Sequence, residues 1–338
     1  MADEEKSGEQ ESSGSAEEVT PAGEPTDAQI FDNIETLAGA ISTARGHPLL
    51  YILYPSMGMI GETHSTKLYQ KFLENQRFEH LDVILHSTGG DIHEAYDIIK
   101  LCRQYTEGEV TVFVPMRAMS AATLIALGAD QVILTKIGKL GPLDPQIPHP
   151  ERGNFVPVRS ITDIPDVLEE ALAPTTGDVS VKEKGDAIVK PIAKQVDPYY
   201  LTQHDKTADL AREYGRKLLS RRNISDTRAK RCLDYLIEYP THSYSVDLHE
   251  IQNNPSLNNV IDCYDISKAD AGNEVEMELI YLINFYMYWD HKHIKRDEAR
   301  VDPTMEFVYP EDTEQQELND VDQPDDEVED AVELAEEN

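Results

Sequence analysis

The chain has few cysteines and no long apolar run. Its three cysteines, Cys102, Cys232 and Cys263, lie far apart and lack the spacing of a metal or redox site. This pattern favours a reducing compartment in which each cysteine is a small buried apolar residue, so we expect a cytoplasmic protein. No apolar run reaches the roughly 18 residues of a transmembrane helix. The acidic start of the chain also lacks the features of a secretory signal.

The chain has far fewer basic than acidic residues. The chain has 30 Lys and Arg against 64 Asp and Glu, a formal net charge of -34. Because proteins bind phosphates mainly through Lys and Arg, this charge argues against nucleic acid as a partner, and an anionic membrane surface is disfavoured for the same reason.

Most of the excess acid lies at the two ends. Residues 1–28 hold nine acidic residues and one basic residue, and residues 311–338 hold fourteen acidic residues and no basic one. Both ends are poor in aromatic and β-branched residues, so we expect disordered tails. A solvating role is the simpler interpretation, and docking to a basic partner is the alternative. Between the tails we expect one large domain over 29–272 and a C-terminal helix with an extension over 273–310.

The middle of the chain alternates short β-rich apolar runs with longer helical stretches. This alternation predicts an α/β fold, with a parallel sheet and crossover helices. The predicted strands cover residues 48–55, 81–87, 109–115 and 130–135. Helical periodicity returns later and predicts helices over residues 204–222, 225–239 and 273–297.

A pair of glycines follows the second predicted strand. In the run HSTGGDIHEA, residues 86–95, Gly89 and Gly90 stand directly before a helix. Glycine lets the backbone adopt positive φ and come close to a substrate, with unpaired N–H groups that could form an oxyanion hole. The structural alternative is that a tight turn between strand and helix requires glycine.

A serine follows the third predicted strand. In MRAMSAATLIALGAD, residues 116–130, Ser120 stands at the start of a helix rich in small residues. It is either a helix cap or a nucleophile. Because parallel strands end at the same edge of a sheet, we expect Ser120 close to the Gly89 and Gly90 amides, as acyl transfer requires.

Three segments together resemble a known family. The run STGG, the run AMSAATLIALGAD and the run LTKIGKLGPLDPQ are similar to those of the Clp-fold serine peptidases, most of all the serine dehydrogenase proteinases, which are relatives of signal peptide peptidase A. The resemblance implies a ClpP/crotonase-like fold and peptide or protein substrates. It also implies a homo-oligomer, for which we expect the helices of residues 225–300 to form the interface. It makes Ser120 the nucleophile, with Gly89, Gly90 and the Ala121 amide as oxyanion donors.

The general base is left open by the sequence. Relatives use either a histidine about 25 residues after the serine or a more distant lysine, and the histidine position falls here on Asp144, a departure from the family pattern. A lysine base must be desolvated or lie near another cation. The remaining candidates are Lys190, Lys194, Lys206, His149 and His242.

Two further features of the sequence concern metal and cofactor binding. Asp290, His291 and His293 could bind a metal, but His291 and His293 do not share a helix face, so we expect a surface polar cluster and no metal. No phosphate loop or dinucleotide fingerprint is present, and we expect no cofactor. The alternatives to a serine peptidase are a non-catalytic scaffold and acyl-CoA chemistry of the crotonase type.

Overall fold

The computed structural model describes residues 24–75, 77–143, 146–148, 155–157, 198–239, 244–268, 272–295 and 302–310. The helices are α1 (Asp27–Arg45), α2 (His64–Leu73), α3 (Ile92–Tyr105), α4 (Ala121–Leu127), α5 (Pro198–Ser220), α6 (Asp226–Ile237), α7 (Leu248–Asn253) and α8 (Gly272–Lys295). The strands are β1 (Leu49–Leu53), β2 (Leu81–His86), β3 (Val110–Val114), β4 (Arg117–Ala118), β5 (Gln131–Leu134), β6 (Lys139–Leu140), β7 (Gln146–Pro148), β8 (Phe155–Pro157), β9 (Val246–Asp247), β10 (Cys263–Asp265) and β11 (Thr304–Val308).

A six-stranded sheet, in the order β10-β5-β3-β2-β1-β11, forms the centre of the described fold. Strands β1, β2, β3, β5 and β10 are parallel, as the alternating pattern predicted, and the four predicted strands of the β/α region are confirmed. The edge strand β11 was not predicted and pairs antiparallel with β1, with Leu49 opposite Val308. The α/β fold class is therefore confirmed.

The two faces of the sheet pack into two cores. Along β1, Leu50 and Ile52 point into a core that also holds residues of α2, α3, α4 and α6. Leu49 and Leu53 point to the other face, which α1 and α8 cover. Successive side chains of a strand point to opposite faces, so a strand covered on both faces is apolar throughout. This explains the uninterrupted apolar run of β1.

Helix α1 begins inside the predicted N-terminal tail. The Thr26 side chain accepts a hydrogen bond from the Gln29 amide, and the Gln29 side chain accepts one from the Thr26 amide, which is a capping box. These reciprocal bonds satisfy amides that the first helical turn leaves unpaired. Residues 24–28, which we assigned to the tail, are thus part of the described fold, because this cap fixes where the helix starts.

The predicted helices over 204–222, 225–239 and 273–297 correspond to α5, α6 and α8. All three cysteines are free and buried, as expected, and burial raises the pKa of each thiol to about 12. Of the helices that the structure describes, none combines the length and the apolar character needed to span a bilayer.

Candidate active site

Ser120 has backbone angles that are rare for serine. Its φ is 51° and its ψ is -122°, close to the first central position of a type II′ turn, which glycine dominates. The Ala122 amide donates to the Met119 carbonyl at 2.9 Å and closes this turn. A non-glycine residue in such a region costs on the order of 1–3 kcal/mol and is retained where the surroundings impose it, which is common at functional sites.

Ser120 stands at the N-cap position of helix α4, but its side chain does not cap the helix. Its side chain makes no capping hydrogen bond, and a capping residue would have extended backbone angles. The side chain is only 7% exposed. The small residues that follow it, Ala121 and Ala122, are buried too, so α4 packs closely against its surroundings. A side-chain cap therefore does not explain the serine, because the turn sets its backbone and its hydroxyl makes no capping bond.

The Gly-Gly turn lies directly against Ser120. A Cβ added to Gly89, whose φ is 107°, would lie 2.8 Å from the Ser120 Cβ and 3.4 Å from the Ala121 nitrogen. The two loops are joined at Ser87, whose amide donates to the Arg117 carbonyl at 3.1 Å and whose carbonyl accepts from the Met119 amide at 3.1 Å. The Gly-Gly turn therefore lies close to Ser120, as expected from the sequence.

Gly90 faces a different neighbour. Its φ is 144°, and an added Cβ would lie 2.2 Å from the carbonyl oxygen of Ile60. No side chain fits at that distance without moving the backbone of one segment. Both glycines are thus required by close approach, Gly89 towards Ser120 and Gly90 towards the loop after β1.

The amides at this site are not equivalent. The Gly89 amide donates to the Ser87 Oγ at 3.0 Å. The Gly90 and Ala121 amides have no acceptor among the residues that the structure describes. Buried or half-buried amides are nearly always paired, so two unpaired donors beside a serine are suited to receiving an oxygen from outside the chain.

A cavity of about 170 Å³ opens beside the serine. Its walls come from the Gly-Gly turn, the start of α3, the start of α4, the loop after β6 and the first half of α5. The lining residues are Gly90, Asp91, Ile92, His93, Ser120, Ala121, Leu143, Thr207 and Leu210.

Gly141, in the described part of the LGPLDPQ segment, packs against the loop that carries Ser120. The Gly141 amide donates to the Ala118 carbonyl at 3.0 Å, and an added Cβ on Gly141 would lie 3.0 Å from the Met119 Cα. Thr123 of α4 joins the two loops, since its Oγ1 lies 2.8 Å from the Ala118 carbonyl and 2.9 Å from the Gly141 carbonyl. Gly141 and Thr123 thus hold the serine loop in place.

Only one of the predicted bases lies in the described part of the chain. Lys206 belongs to α5, directly before Thr207 of the cavity wall, and its side chain is exposed. It does not have the desolvated setting that a neutral lysine requires. The other candidates lie outside the described residues, as does Asp144; they are Lys190, Lys194, His149 and His242.

His93 is a titratable residue of the cavity wall that the sequence reasoning missed. It lies in the first turn of α3, its side chain is exposed, and its Nδ1 lies 2.7 Å from the Tyr214 hydroxyl. Tyr214, on α5, stacks on Tyr96 with 4.2 Å between ring centroids, and burial followed by the nearby Asp97 raises the Tyr214 pKa. The sequence signal was present, since His93 is three residues after Gly90.

His86 lies just before the turn but belongs to the opposite face of the sheet. Its ring packs edge-on against Tyr286, 6.4 Å between centroids. Burial, and secondarily the Arg117 charge, lowers the His86 pKa to about 3. The imidazole is therefore neutral at physiological pH, and its position facing α8 separates it from the Ser120 cavity.

The predicted surface polar cluster at 290–293 was wrong for two of its three residues. Asp290 is 3% exposed and accepts a hydrogen bond from the Ser56 amide at 3.0 Å. His293 is 6% exposed, and its Nε2 lies 2.9 Å from an Asp27 carboxylate oxygen. Only His291 is exposed. These side chains face α1 and the loop after β1, because one side of α8 is buried. Among the described residues no group of His, Cys, Asp and Glu is arranged to hold a metal ion.

Comparison with known proteins gives a family and several distant structural likenesses. Residues 55–218 match the model of a family described as ClpP-like SDH-type serine proteinase. Two uncharacterized proteins of Methanocaldococcus jannaschii are 43% and 42% identical to this chain over 67 residues, which is 20% of this chain and 23% of each relative. The match thus spans about a quarter of the length of these curated relatives.

Two solved structures illustrate the likeness. A variant of a membrane-bound stomatin-specific protease is 16% identical, with a TM-score of 0.37, over 61% of this chain and 74% of that chain. A methylmalonyl CoA decarboxylase is 10% identical, with a TM-score of 0.24, over 54% of this chain and 83% of that chain.

Proposed function

We propose that this chain, which over residues 55–218 matches the model of the ClpP-like SDH-type serine proteinase family, is a peptidase that cleaves peptide bonds through an acyl-enzyme on Ser120. The observation that carries the proposal is the meeting, at one cavity, of a strained, buried serine with two amides that have no acceptor among the described residues. Each feature has a structural explanation by itself. Together they supply the nucleophile and the oxyanion donors that acyl transfer needs.

The reaction would follow from these positions. The Ser120 Oγ attacks the carbonyl carbon of the scissile peptide, and its proton passes to a base. The carbonyl oxygen becomes an oxyanion that accepts hydrogen bonds from the Gly90 and Ala121 amides. The base then returns the proton to the leaving amine, the C–N bond breaks, and water hydrolyses the ester on Ser120 by the same steps. Loss of one oxyanion donor typically costs about 10²–10³ in kcat.

Gly89 contributes to this mechanism by leaving room for Ser120. Its amide donates to the Ser87 Oγ, so we assign the oxyanion to the Gly90 and Ala121 amides alone. The missing side chain of Gly89 lets the turn approach Ser120, where a Cβ would lie 2.8 Å from the serine Cβ.

His93 is the base that the described cavity favours. It belongs to the cavity wall itself, whereas Lys206 is exposed and only its neighbour Thr207 lines the wall. The Tyr214 hydroxyl engages the His93 Nδ1, and the Nε2 is the atom left for proton transfer. Holding one ring nitrogen fixes the orientation of an imidazole, as the carboxylate does in serine triads.

The experiment combines peptide hydrolysis with single substitutions. Ser120→Ala should abolish hydrolysis of casein and of a fluorogenic peptide, while circular dichroism stays unchanged. Loss of the general base should lower kcat by about 10²–10⁴, so His93→Ala should do this and Lys206→Ala should not. The matched variants Lys190→Ala and Lys194→Ala test the two lysines outside the described residues.

The outcomes separate the alternatives. Hydrolysis that survives Ser120→Ala rejects the acyl-enzyme. A loss of hydrolysis in only one of the lysine variants would leave Ser120 as the nucleophile and identify that lysine as the base. A folded wild-type protein that cleaves no peptide under any condition tested favours the non-catalytic scaffold.

A further inference from the structure

The backbone of Ile60 makes hydrogen bonds to the residues on both sides of Gly90. The Ile60 amide donates to the Gly89 carbonyl at 2.8 Å, and the Ile60 carbonyl accepts from the Asp91 amide at 2.7 Å. These two bonds lie on either side of Gly90, and they leave its own N–H unpaired among the described residues. The direction in which the Gly90 N–H points therefore depends on where the Ile60 backbone is held.

His64 holds the next residue along this loop. The Gly61 amide donates to the His64 Nδ1 at 3.1 Å, and the Tyr54 hydroxyl lies 3.0 Å from the same nitrogen. An amide N–H can only donate, so the His64 Nδ1 must carry a lone pair. The ring proton is then on Nε2, which faces the Asp302 carboxylate at 3.6 Å. His64 is only 6% exposed, so water cannot easily replace the two contacts of its Nδ1.

We propose that His64 is a positioning residue, whose neutral imidazole holds the Ile60–Gly61 backbone against the Gly-Gly turn and so aims the Gly90 amide at the oxyanion. The inference rests on the proposed function, since it assigns His64 a role in the oxyanion site. His64 is outside the walls of the cavity, and it acts through Gly61, Ile60 and Gly90.

The same loop is tied to the start of α3. The Glu94 carboxylate accepts hydrogen bonds from the Thr63 amide at 3.3 Å and from the Ser65 amide at 2.8 Å. Thr63 makes no capping bond with its own side chain, so a carboxylate of α3 caps α2. Glu94 fixes the end of the loop that leads into α2, and His64 fixes Gly61, the residue next to Ile60.

Protonation would release the loop. A proton on the Nδ1 of His64 turns this acceptor into a donor. The bond from the Gly61 amide is then lost, because an amide N–H can only donate, whereas the Tyr54 hydroxyl can turn to accept. Burial lowers the His64 pKa, and so does Lys67 of α2. Asp302, which precedes β11, and Glu94 of α3 raise it. The pKa is lowered on balance, so the imidazole stays neutral at physiological pH and the loop is released only on acidification.

The test compares three substitutions at one position. His64→Asn keeps an acceptor near the place of Nδ1, His64→Gln moves the amide towards the place of Nε2, and His64→Phe removes the acceptor and keeps the volume. We expect His64→Phe to lower kcat and the rate of Ser120 modification by a fluorophosphonate roughly tenfold or more, with KM little changed, because the oxyanion forms only in the transition state. His64→Asn should restore most of the rate, and His64→Gln should not.

Two further measurements keep the inference distinct from the proposed function. Amide hydrogen exchange of the peptide that contains Gly89, Gly90 and Asp91 should be faster in His64→Phe than in the wild type and slow again in His64→Asn. This readout needs no catalysis. Acidification should slow the wild type through protonation of the general base and of His64, whereas His64→Asn should keep only the part of the loss that the base causes. His249→Phe, on α7, is the control and should match the wild type in every assay.

The contradicting results are specific. If His64→Phe is labelled at the wild-type rate and exchanges like the wild type, or if the Asn and Phe variants behave alike, His64 has no positioning role. If the Phe variant does not fold, the comparison of Asn with Gln decides. A wild-type protein that resists the probe while the exchange pattern follows the expected order would overturn the proposed function and leave the loop contact in place.

Discussion

Ser120 adopts a turn conformation that glycine would adopt at no cost. Its φ of 51° and ψ of -122° lie in a region that residues with a side chain rarely adopt, and the Met119–Ala122 hydrogen bond maintains the turn. A purely structural turn would gain stability from glycine at this point. The presence of serine therefore favours a role for its hydroxyl.

Replacing Ser120 should separate stability from activity. We expect Ser120→Gly to be more stable than Ser120→Ala by about 1–2 kcal/mol, because glycine relieves the strained φ while alanine keeps it. Both variants should be inactive. Urea unfolding monitored by tryptophan fluorescence measures the difference. Equal stability of the two variants would mean that the turn is not strained.

At the residue scale, the sequence predicted part of the site. Gly89, Gly90 and Ser120 could be placed together because parallel strands end at one edge of the sheet. The partner that makes Gly90 necessary is Ile60, which belongs to a loop thirty residues earlier and has no motif of its own. His93 was overlooked because a histidine at a helix start has many structural roles, and its pairing with Tyr214 depends on how α5 crosses α3.

At the element scale, the sheet and its two helical layers explain where the site forms. The predicted strands came from apolar runs bounded by helical patterns. Strand β11 was missed because its antiparallel partner, β1, lies about 250 residues earlier, and sequence periodicity carries no information on such pairing. Helix α8 was predicted from its core spacing, but its packing on α1 was not.

Helix α8 allows a matched pair of substitutions. Trp289 is 2% exposed and packs against Phe31 with 5.2 Å between ring centroids, whereas its neighbour Tyr288 is 42% exposed. Trp289→Ala should cost about 3–5 kcal/mol through lost burial and a cavity. Tyr288→Ala should change the unfolding free energy by about 0.5 kcal/mol or less. Similar losses for both variants, measured by thermal unfolding, would contradict the assignment of the buried face.

At the scale of the whole molecule, the charge of -34 has limited bearing on the site. The two predicted tails, residues 1–28 and 311–338, hold 23 of the 64 acidic residues, the sum of nine and fourteen. The catalytic proposal depends on the segment between them. Most of the tail residues lie outside the described part of the chain, so their predicted disorder stays a prediction.

Acidification should weaken the whole fold partly through His86. Its folded pKa of about 3 is below the ordinary value of 6.5, so the unfolded chain binds a proton more readily. The neutral form contributes its full stability above pH 6.5, and this contribution falls as the pH drops from 6.5 towards 3, by at most about 1.4 kcal/mol per pH unit. In urea unfolding, the unfolding free energy of His86→Leu should fall less steeply with decreasing pH than that of the wild type or of His249→Leu. Parallel pH curves for all three proteins would contradict this.

The most direct test of the account is to identify the residue that a fluorophosphonate modifies. The folded wild-type protein is treated with the probe, digested, and its peptides are sequenced by mass spectrometry. We predict a single adduct on Ser120, which disappears in Ser120→Ala and in heat-unfolded protein. An adduct on another residue, or no adduct on the folded protein, would contradict the proposal that Ser120 is the nucleophile.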